Sequence, residues 1–130
     1  MAAQVEIRRA EWSEAAARTL ADAIPFGTPE DLRRQIDIEG AQLFEVIAER
    51  GRVGFYLLRV DRSAEGCEGV LVAGAGALHG VDLIAAIVPQ IERQFRGCYG
   101  MRVHTARPGL ARKLAKLGYG AGEIVLRKKL

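Results

Sequence analysis

The fold of this chain is decided by the stretch RVHTARPGLARKLAKLGY, residues 102–119. Its first residues belong to a segment, residues 101–106, that favours a β-strand. Pro108 suits the first position of a helix, because its ring holds the helical φ and its missing N–H would have no partner there. Gly118 ends that helix, and Tyr119 supplies an aromatic ring for the core. Residues 123–128 then predict a closing strand.

A longer helix is predicted upstream, over residues 81–96. Its apolar residues recur at every fourth position, namely Leu83, Ile87, Ile91 and Phe95. Pro89 lies inside this helix and removes one backbone hydrogen bond, so we expect a kink or a division there. Because a helical crossover returns the chain in the same direction, the strands before and after this helix should be parallel.

The first forty residues predict one strand and two helices. Residues 4–8 alternate apolar and polar side chains, as a half-buried strand does. A helix is predicted over residues 11–24, before a break at residues 25–27. In the second helix, Thr28, Pro29 and Asp31 combine an N-cap, a proline at the first helical position and an acid at the positive helix end. Gly40 suits its left-handed C-cap.

Three strands should follow, over residues 42–49, 53–60 and 68–73. The Arg50-Gly51 step between the first two supports a hairpin. Residues 61–66 predict a polar connection, and a glycine-rich segment at residues 74–80 leads into the long helix. The chain is therefore predicted to form a mixed α/β domain over residues 1–130, without repeats or linkers.

Composition excludes several classes of protein. No apolar run approaches the roughly 20 residues that span a bilayer, and the first residues lack a secretory signal, so we expect a cytoplasmic protein. Residues 1–92 hold 9 Lys/Arg against 15 Asp/Glu, whereas residues 93–130 hold 10 against one. This basic last third would attract a polyanion, or it is simply a solvated face. Nucleic acid is not favoured, since aromatic residues make up only 6%.

The two cysteines, Cys67 and Cys98, do not form a metal-ligand spacing, and no metal site is predicted. Each precedes a predicted strand, so the two would lie close together if those strands are neighbours. We interpret them as a reduced pair of small, half-buried side chains.

The order of elements and the local sequence resemble the GNAT acetyltransferase superfamily. Many GNAT enzymes carry Asn-Pro, a helix with a tyrosine, and then Gly-Phe. Arg107-Pro108 and Gly118-Tyr119 align with those pairs without gaps. The chain also resembles short GNAT-like proteins of prophages. The resemblance implies a single GNAT-like domain of the α/β class (α+β mixed sheet), with a central mixed sheet of about six to seven strands flanked by four helices.

The resemblance also implies acetyl-CoA as the cofactor. Main-chain groups of Val72, Ala73 and Gly74 would hold its pantetheine arm. The pyrophosphate would meet the turn formed by Leu78, His79, Gly80, Val81 and Asp82, and Arg107 could meet an anion. For catalysis, Glu45 could serve as a general base if it faces the cleft, and His79 as an acid or base. The alternative is that both are solvent-facing side chains.

Three residues depart from the family pattern. The tyrosine that often protonates the coenzyme A thiolate falls on Leu114, which has no proton to donate. In the pyrophosphate turn, Arg/Gln-x-x-Gly-x-Gly/Ala, the positions are Ala77 to Asp82 and only Gly80 matches. Asp82 could use the helix N-terminal N–H groups itself and would repel a diphosphate.

These departures favour a GNAT-like protein with a degenerate cofactor site, weak or non-catalytic, in an assembly or binding role. The alternative is an active acetyl-CoA-dependent N-acetyltransferase of a small amine or a protein amine, because direct attack on a thioester needs positioning more than a covalent nucleophile. A homodimer is a further expectation, with residues 54–58 and the long helix as its surface.

Overall fold

The computed structural model describes residues 5–24 and 27–130, within which one five-stranded sheet carries four α-helices. The strands are β1 (Glu6–Ala10), β2 (Gln42–Ala48), β3 (Gly51–Ser63), β4 (Gly66–Gly76) and β5 (Gly100–Val103). The helices are α1 (Glu14–Leu20), α2 (Pro29–Glu39), α3 (Leu83–Gln94) and α4 (Pro108–Lys116), and a 3₁₀ turn, Ala21–Ala23, extends α1.

The sheet has the spatial order β1-β2-β3-β4-β5. Its first four strands are antiparallel, and β4 and β5 are parallel across the α3 crossover, as predicted. The hairpin at Gly51 is confirmed as well; this glycine has φ +122°, a conformation that favours residues without a Cβ. The α/β class with a mixed sheet and four helices is therefore correct.

The predicted strand count of six to seven is wrong, because residues 123–128 do not join the sheet. No regular secondary structure is formed over residues 119–130, where Ile124 and Leu126 are 87% and 89% exposed. Alternating apolar residues favour a strand, but a strand forms only where a neighbouring edge accepts its backbone hydrogen bonds. The sequence of residues 123–128 does not itself specify which strand edge would pair with them, or in which register.

Two further predictions are corrected at β3 and β4. Residues 61–66 are not a separate connection, because the β3–β4 ladder continues to the pair Ser63↔Gly66. Residues 54–58 cannot supply a dimer surface, because all five are buried in the centre of the sheet.

Pro89 does not divide α3, which runs unbroken through it while Ile87, Val88 and Ile91 pack into the core. Burial of this apolar side offsets the lost backbone bond.

The caps of α2 agree with the sequence prediction. The Thr28 N–H donates to the Asp31 carboxylate at 2.7 Å, Pro29 opens the helix, and Gly40 ends it with φ +73°. Pro25 and Phe26, part of the predicted break before this helix, and Gln4 of the first predicted strand lie outside the described residues.

The core has two parts, one on each face of the sheet. On one face, α1 and α2 cover a cluster that includes Leu20, Leu43 and Leu57. On the other, α3 covers a cluster that includes Tyr56, Ile91 and Phe95. Gly69 allows this second contact, since a Cβ at that position would overlap the Phe95 ring. The packing holds α3 beside β4 and thereby positions the cleft.

Candidate functional site

A cleft opens where β4 and β5 separate. The two strands pair from Glu68↔Gly100 to Leu71↔Val103. Beyond that point β4 continues to Gly76, whereas the chain after Val103 turns away into α4. Within the described ranges, the edge of β4 facing the cleft therefore has no strand partner after Leu71. The cleft has a volume of about 620 Å³, which is in the range of small-molecule sites.

The walls of the cleft are mainly apolar. They include Leu71, Ile87, Ile91 and Leu114, and the last is only 4% exposed. Tyr56 also lines the cleft, and its hydroxyl donates to Gln94 Oε1 at 2.7 Å. Burial raises the pKa of the Tyr56 phenol, so it stays neutral. An apolar chain with few polar groups fits such walls.

The turn before α3 is closed by its own backbone. The Val81 N–H donates to the Leu78 carbonyl at 3.1 Å, and Gly80 has φ +74°. His79 is exposed at the turn. One of the amides proposed to hold a pyrophosphate is thus already hydrogen-bonded within the turn.

Asp82 is the N-cap of α3, one residue before the helix, although the sequence had placed it inside the predicted helix over residues 81–96. Its Oδ1 accepts hydrogen bonds from the Ile84 and Ala85 N–H groups at 3.1 and 3.3 Å, and Lys113 Nζ lies 3.3 Å from the same oxygen. The Ala85 hydrogen bond, followed by Lys113, lowers the pKa of the Asp82 carboxyl. The carboxylate therefore holds donors that an anionic ligand would use at a helix N-terminus.

The structure brings most of the predicted cofactor-binding residues together. The cleft is lined by Val72, Ala73, Gly74, Leu78, Val81, Asp82 and Arg107. His79 and Gly80 belong to the turn but do not line the cleft. Glu45 does not line it either; it lies on β2 with its carboxylate 3.7 Å from Arg52 Nη1. The proposed catalytic pair, Glu45 and His79, is therefore not assembled at the cleft.

Sequence reasoning missed four polar groups of the cleft: Tyr56, His104, Thr105 and Lys113. The contact between Lys113 and Asp82 joins residues 31 positions apart, and no local pattern indicates it. Tyr56 lies on a buried strand, where an aromatic residue indicates core packing rather than a site.

An ion-pair network joins the three strands before β4 and β5 separate. Arg102 on β5 donates to Glu68 at 2.6 Å, to Asp61 at 2.5 Å and to His104 Nε2 at 2.9 Å. Arg59 on β3 donates to the other oxygen of Asp61 at 2.8 Å. These contacts link β3, β4 and β5 along the paired part of β5, from Glu68 in the first β4–β5 pair to Arg102 next to the last.

Neither a protein-family model nor a curated protein matches this sequence. Solved structures do match. A transcriptional regulator from Bacillus halodurans has a TM-score of 0.71 at 19% identity, covering 98% of this chain and 100% of that one. An acetyltransferase from Trypanosoma brucei has a TM-score of 0.68 at 19% identity, with the same coverage. A GNAT family acetyltransferase from Staphylococcus aureus has a TM-score of 0.58 at 12% identity, covering 97% and 98%.

This chain has the GNAT acetyltransferase fold. At identities below 20%, the likeness concerns the backbone alone. Across residues 5–24 and 27–130, no group of three or more His, Cys, Asp or Glu side chains is placed to hold a metal ion. No helix in the same described part is long and apolar enough to cross a membrane.

Proposed function

We propose that this GNAT-fold protein binds acyl-CoA weakly, transfers acyl groups inefficiently or not at all, and serves a binding or assembly role. The observation that carries the proposal is the position of Asp82. Its carboxylate accepts the Ile84 and Ala85 N–H groups at the N-terminus of α3, where the resemblance would place the diphosphate. The residues at this point do not fit a diphosphate.

The rest of the cleft supports a more limited role. The edge of β4 at Val72 to Gly74 faces an apolar cleft, so an extended thioester arm fits there better than the charged end of coenzyme A. Leu114 is buried at the position of the family's tyrosine and offers no proton to a departing thiolate. Binding of the arm without strong binding of the phosphates gives weak affinity.

Calorimetric titration with acetyl-CoA tests the proposal. We expect no binding tighter than roughly 100 μM, and measurable binding of S-acetylpantetheine, which lacks the diphosphate. Gly74→Leu is the site control, because Gly74 lines the cleft and a Cβ there would be in ordinary contact, 3.4 Å from Tyr56 Cβ. The proposal would be contradicted if acetyl-CoA bound with a Kd well below roughly 100 μM and Gly74→Leu abolished that binding.

An active N-acetyltransferase is the second candidate, supported by the volume and position of the cleft. A turnover assay that follows release of coenzyme A with a panel of small amines and peptide amines separates the two. Amine-dependent release that is abolished in Gly74→Leu would favour the enzyme. Release at the rate of spontaneous hydrolysis would favour the binding role.

A homodimer remains part of the proposal, through a different surface from the one predicted. Ile124 and Leu126 are largely exposed, and β5 has β4 as its strand partner within the described residues. A cavity of about 380 Å³ lies beside β5, lined by Met101 and residues 117–120. Pairing of residues 123–128 with β5 of a second copy would cover these apolar side chains. Light scattering with Ile124→Lys as the variant tests it, and a monomer at all concentrations would exclude it.

A further inference from the structure

The two cysteines of the chain meet at the end of the sheet opposite the cleft. Cys67 is the second residue of β4, and Cys98 lies between α3 and β5. Their Sγ atoms are 2.6 Å apart, not much longer than the roughly 2.0 Å of a disulfide bond. Both are free thiols and both are partly exposed. The sequence contains no other cysteine.

The backbone on each side holds this pair in place. The Tyr99 N–H donates to the Cys67 carbonyl at 2.9 Å, and the Cys98 N–H donates to the Phe95 carbonyl at 3.0 Å. The β4–β5 ladder begins at the next pair, Glu68↔Gly100. Gly97, with φ +97°, allows the sharp turn that brings Cys98 back to β4. The sulfurs are thus brought together by bonds that do not depend on them.

We propose that Cys67 and Cys98 form a dithiol site that a small-molecule disulfide, of the class of oxidised glutathione, converts reversibly into an intramolecular disulfide. The proposal is independent of acyl-CoA binding, because the pair and the cleft lie at opposite ends of β4. It assigns a chemical modification to residues that the cleft does not use.

The reaction proceeds in two exchanges. The Cys67 thiolate attacks one sulfur of the oxidant, forms a mixed disulfide and releases one glutathione thiolate. The Cys98 thiolate then attacks the Cys67 sulfur and releases the second. Two protein thiols lose two electrons and two protons, and one oxidised glutathione gains them to become two thiols. Each glutathione thiolate takes up a proton, so atoms and electrons balance.

The order of attack follows from the surroundings of the two sulfurs. Arg62 is the cross-strand partner of Cys67, so its positive charge lies beside the pair. The hydrogen bond with Cys67, together with burial, raises the pKa of the Cys98 thiol. Cys98 also packs against the cluster that α3 covers, to which Cys67 does not belong, so we assign Cys67 as the first nucleophile and Cys98 as the resolving thiol.

Redox titration of the whole chain tests the site. Reduced protein, either folded or in concentrated urea, is equilibrated in buffers with set ratios of reduced to oxidised glutathione. The samples are quenched with acid and alkylated, and the fraction of disulfide is measured by mass spectrometry. Because the contact joins residues 31 positions apart, the folded chain should show an effective thiol concentration roughly 100- to 1000-fold above the unfolded chain. Equal values, or glutathione adducts alone, would overturn the proposal.

Thermal melting and two single-cysteine variants provide further tests. Oxidised protein should melt about 10 °C above reduced protein, and an unchanged Tm would mean that the native backbone does not favour the bond. Cys98→Ser should accumulate a stable glutathione adduct on Cys67, whereas Cys67→Ser should react more slowly at Cys98. Faster reaction of the Cys67→Ser variant would overturn the assigned order.

Discussion

Replacement of Asp82 with asparagine should increase the affinity for acetyl-CoA. The carboxylate accepts the Ile84 and Ala85 N–H groups at 3.1 and 3.3 Å, so a phosphate oxygen brought to the same donors would lie within about 4 Å of it. At that separation, and with effective dielectric constants from 80 to 20, repulsion between two unit charges weakens binding by roughly one to three powers of ten. The Lys113 ammonium, 3.3 Å from Asp82 Oδ1, offsets part of this repulsion.

We therefore expect Asp82→Asn to tighten binding of acetyl-CoA by roughly ten- to a hundredfold at low salt. Asparagine is as good an N-cap as aspartate, so α3 and the Tm should change little. Calorimetry at two salt concentrations provides the assay, and the gain should shrink as salt rises, because screening reduces the repulsion that the substitution removes.

Matched controls isolate the charge. S-acetylpantetheine has no diphosphate, and its affinity should be the same for the original chain and for Asp82→Asn. In the Asp82→Asn background, Lys113→Ala should reduce acetyl-CoA affinity again, because the freed ammonium is then available to a phosphate. If Asp82→Asn left acetyl-CoA binding unchanged while the Tm was preserved, repulsion at Asp82 would not be what limits the cofactor.

Three further outcomes follow from the packing and the charges. Leu114→Ala should lower the free energy of unfolding, measured by urea denaturation, by about 2–4 kcal/mol, because Leu114 is only 4% exposed. Leu126→Ala is the control: Leu126 is 89% exposed, and its replacement should change the free energy of unfolding by less than about 0.5 kcal/mol. Equal effects of the two substitutions would contradict the placement of α4. Gly69→Ala should destabilise by about 1–3 kcal/mol, since its Cβ would overlap the Phe95 ring, and Gly100→Ala, with open space at its Cβ, is the control expected to match the original chain. The hydrogen bond from Arg59, followed by that from Arg102, lowers the pKa of Asp61 from 3.8 to about 2. The stabilisation that Asp61 contributes is therefore complete above pH 4 and is lost as the pH falls towards 2. For a side chain 37% exposed we expect this loss to be about 1 kcal/mol in the original chain and absent in Asp61→Asn. Parallel curves of unfolding free energy against pH for the two proteins would refute this prediction.

Local chemistry explains why so much of the fold was predictable. The caps of α2 involve residues within three positions of one another, and the apolar spacing of α3 specifies which side of the helix packs on the sheet. The parallel pairing of β4 and β5 follows from the crossover helix between them. The use of the α3 donors by Asp82 was equally predictable, because an N-cap acts on its own helix.

Predictions failed where a partner lies far along the chain. Residues 123–128 have a strand's pattern but pair with no strand in the structure, and residues 54–58 are apolar because they lie in the central strand. Glu45 was considered as a general base only if it faced the cleft, and in the structure its carboxylate lies beside Arg52 instead. Periodicity reports which residues share a face, but not what covers that face.

The opening stretch shows the same division. Sequence alone determined the helix that Pro108 begins, the turn at Gly118 and the apolar character of position 114, because each depends on one residue's own chemistry. Only the tertiary structure decided that β5 stops at Val103, that Lys113 meets Asp82 and that Cys67 lies against Cys98. Each of these depends on strand register and helix packing, which are set by the whole core rather than by neighbouring residues.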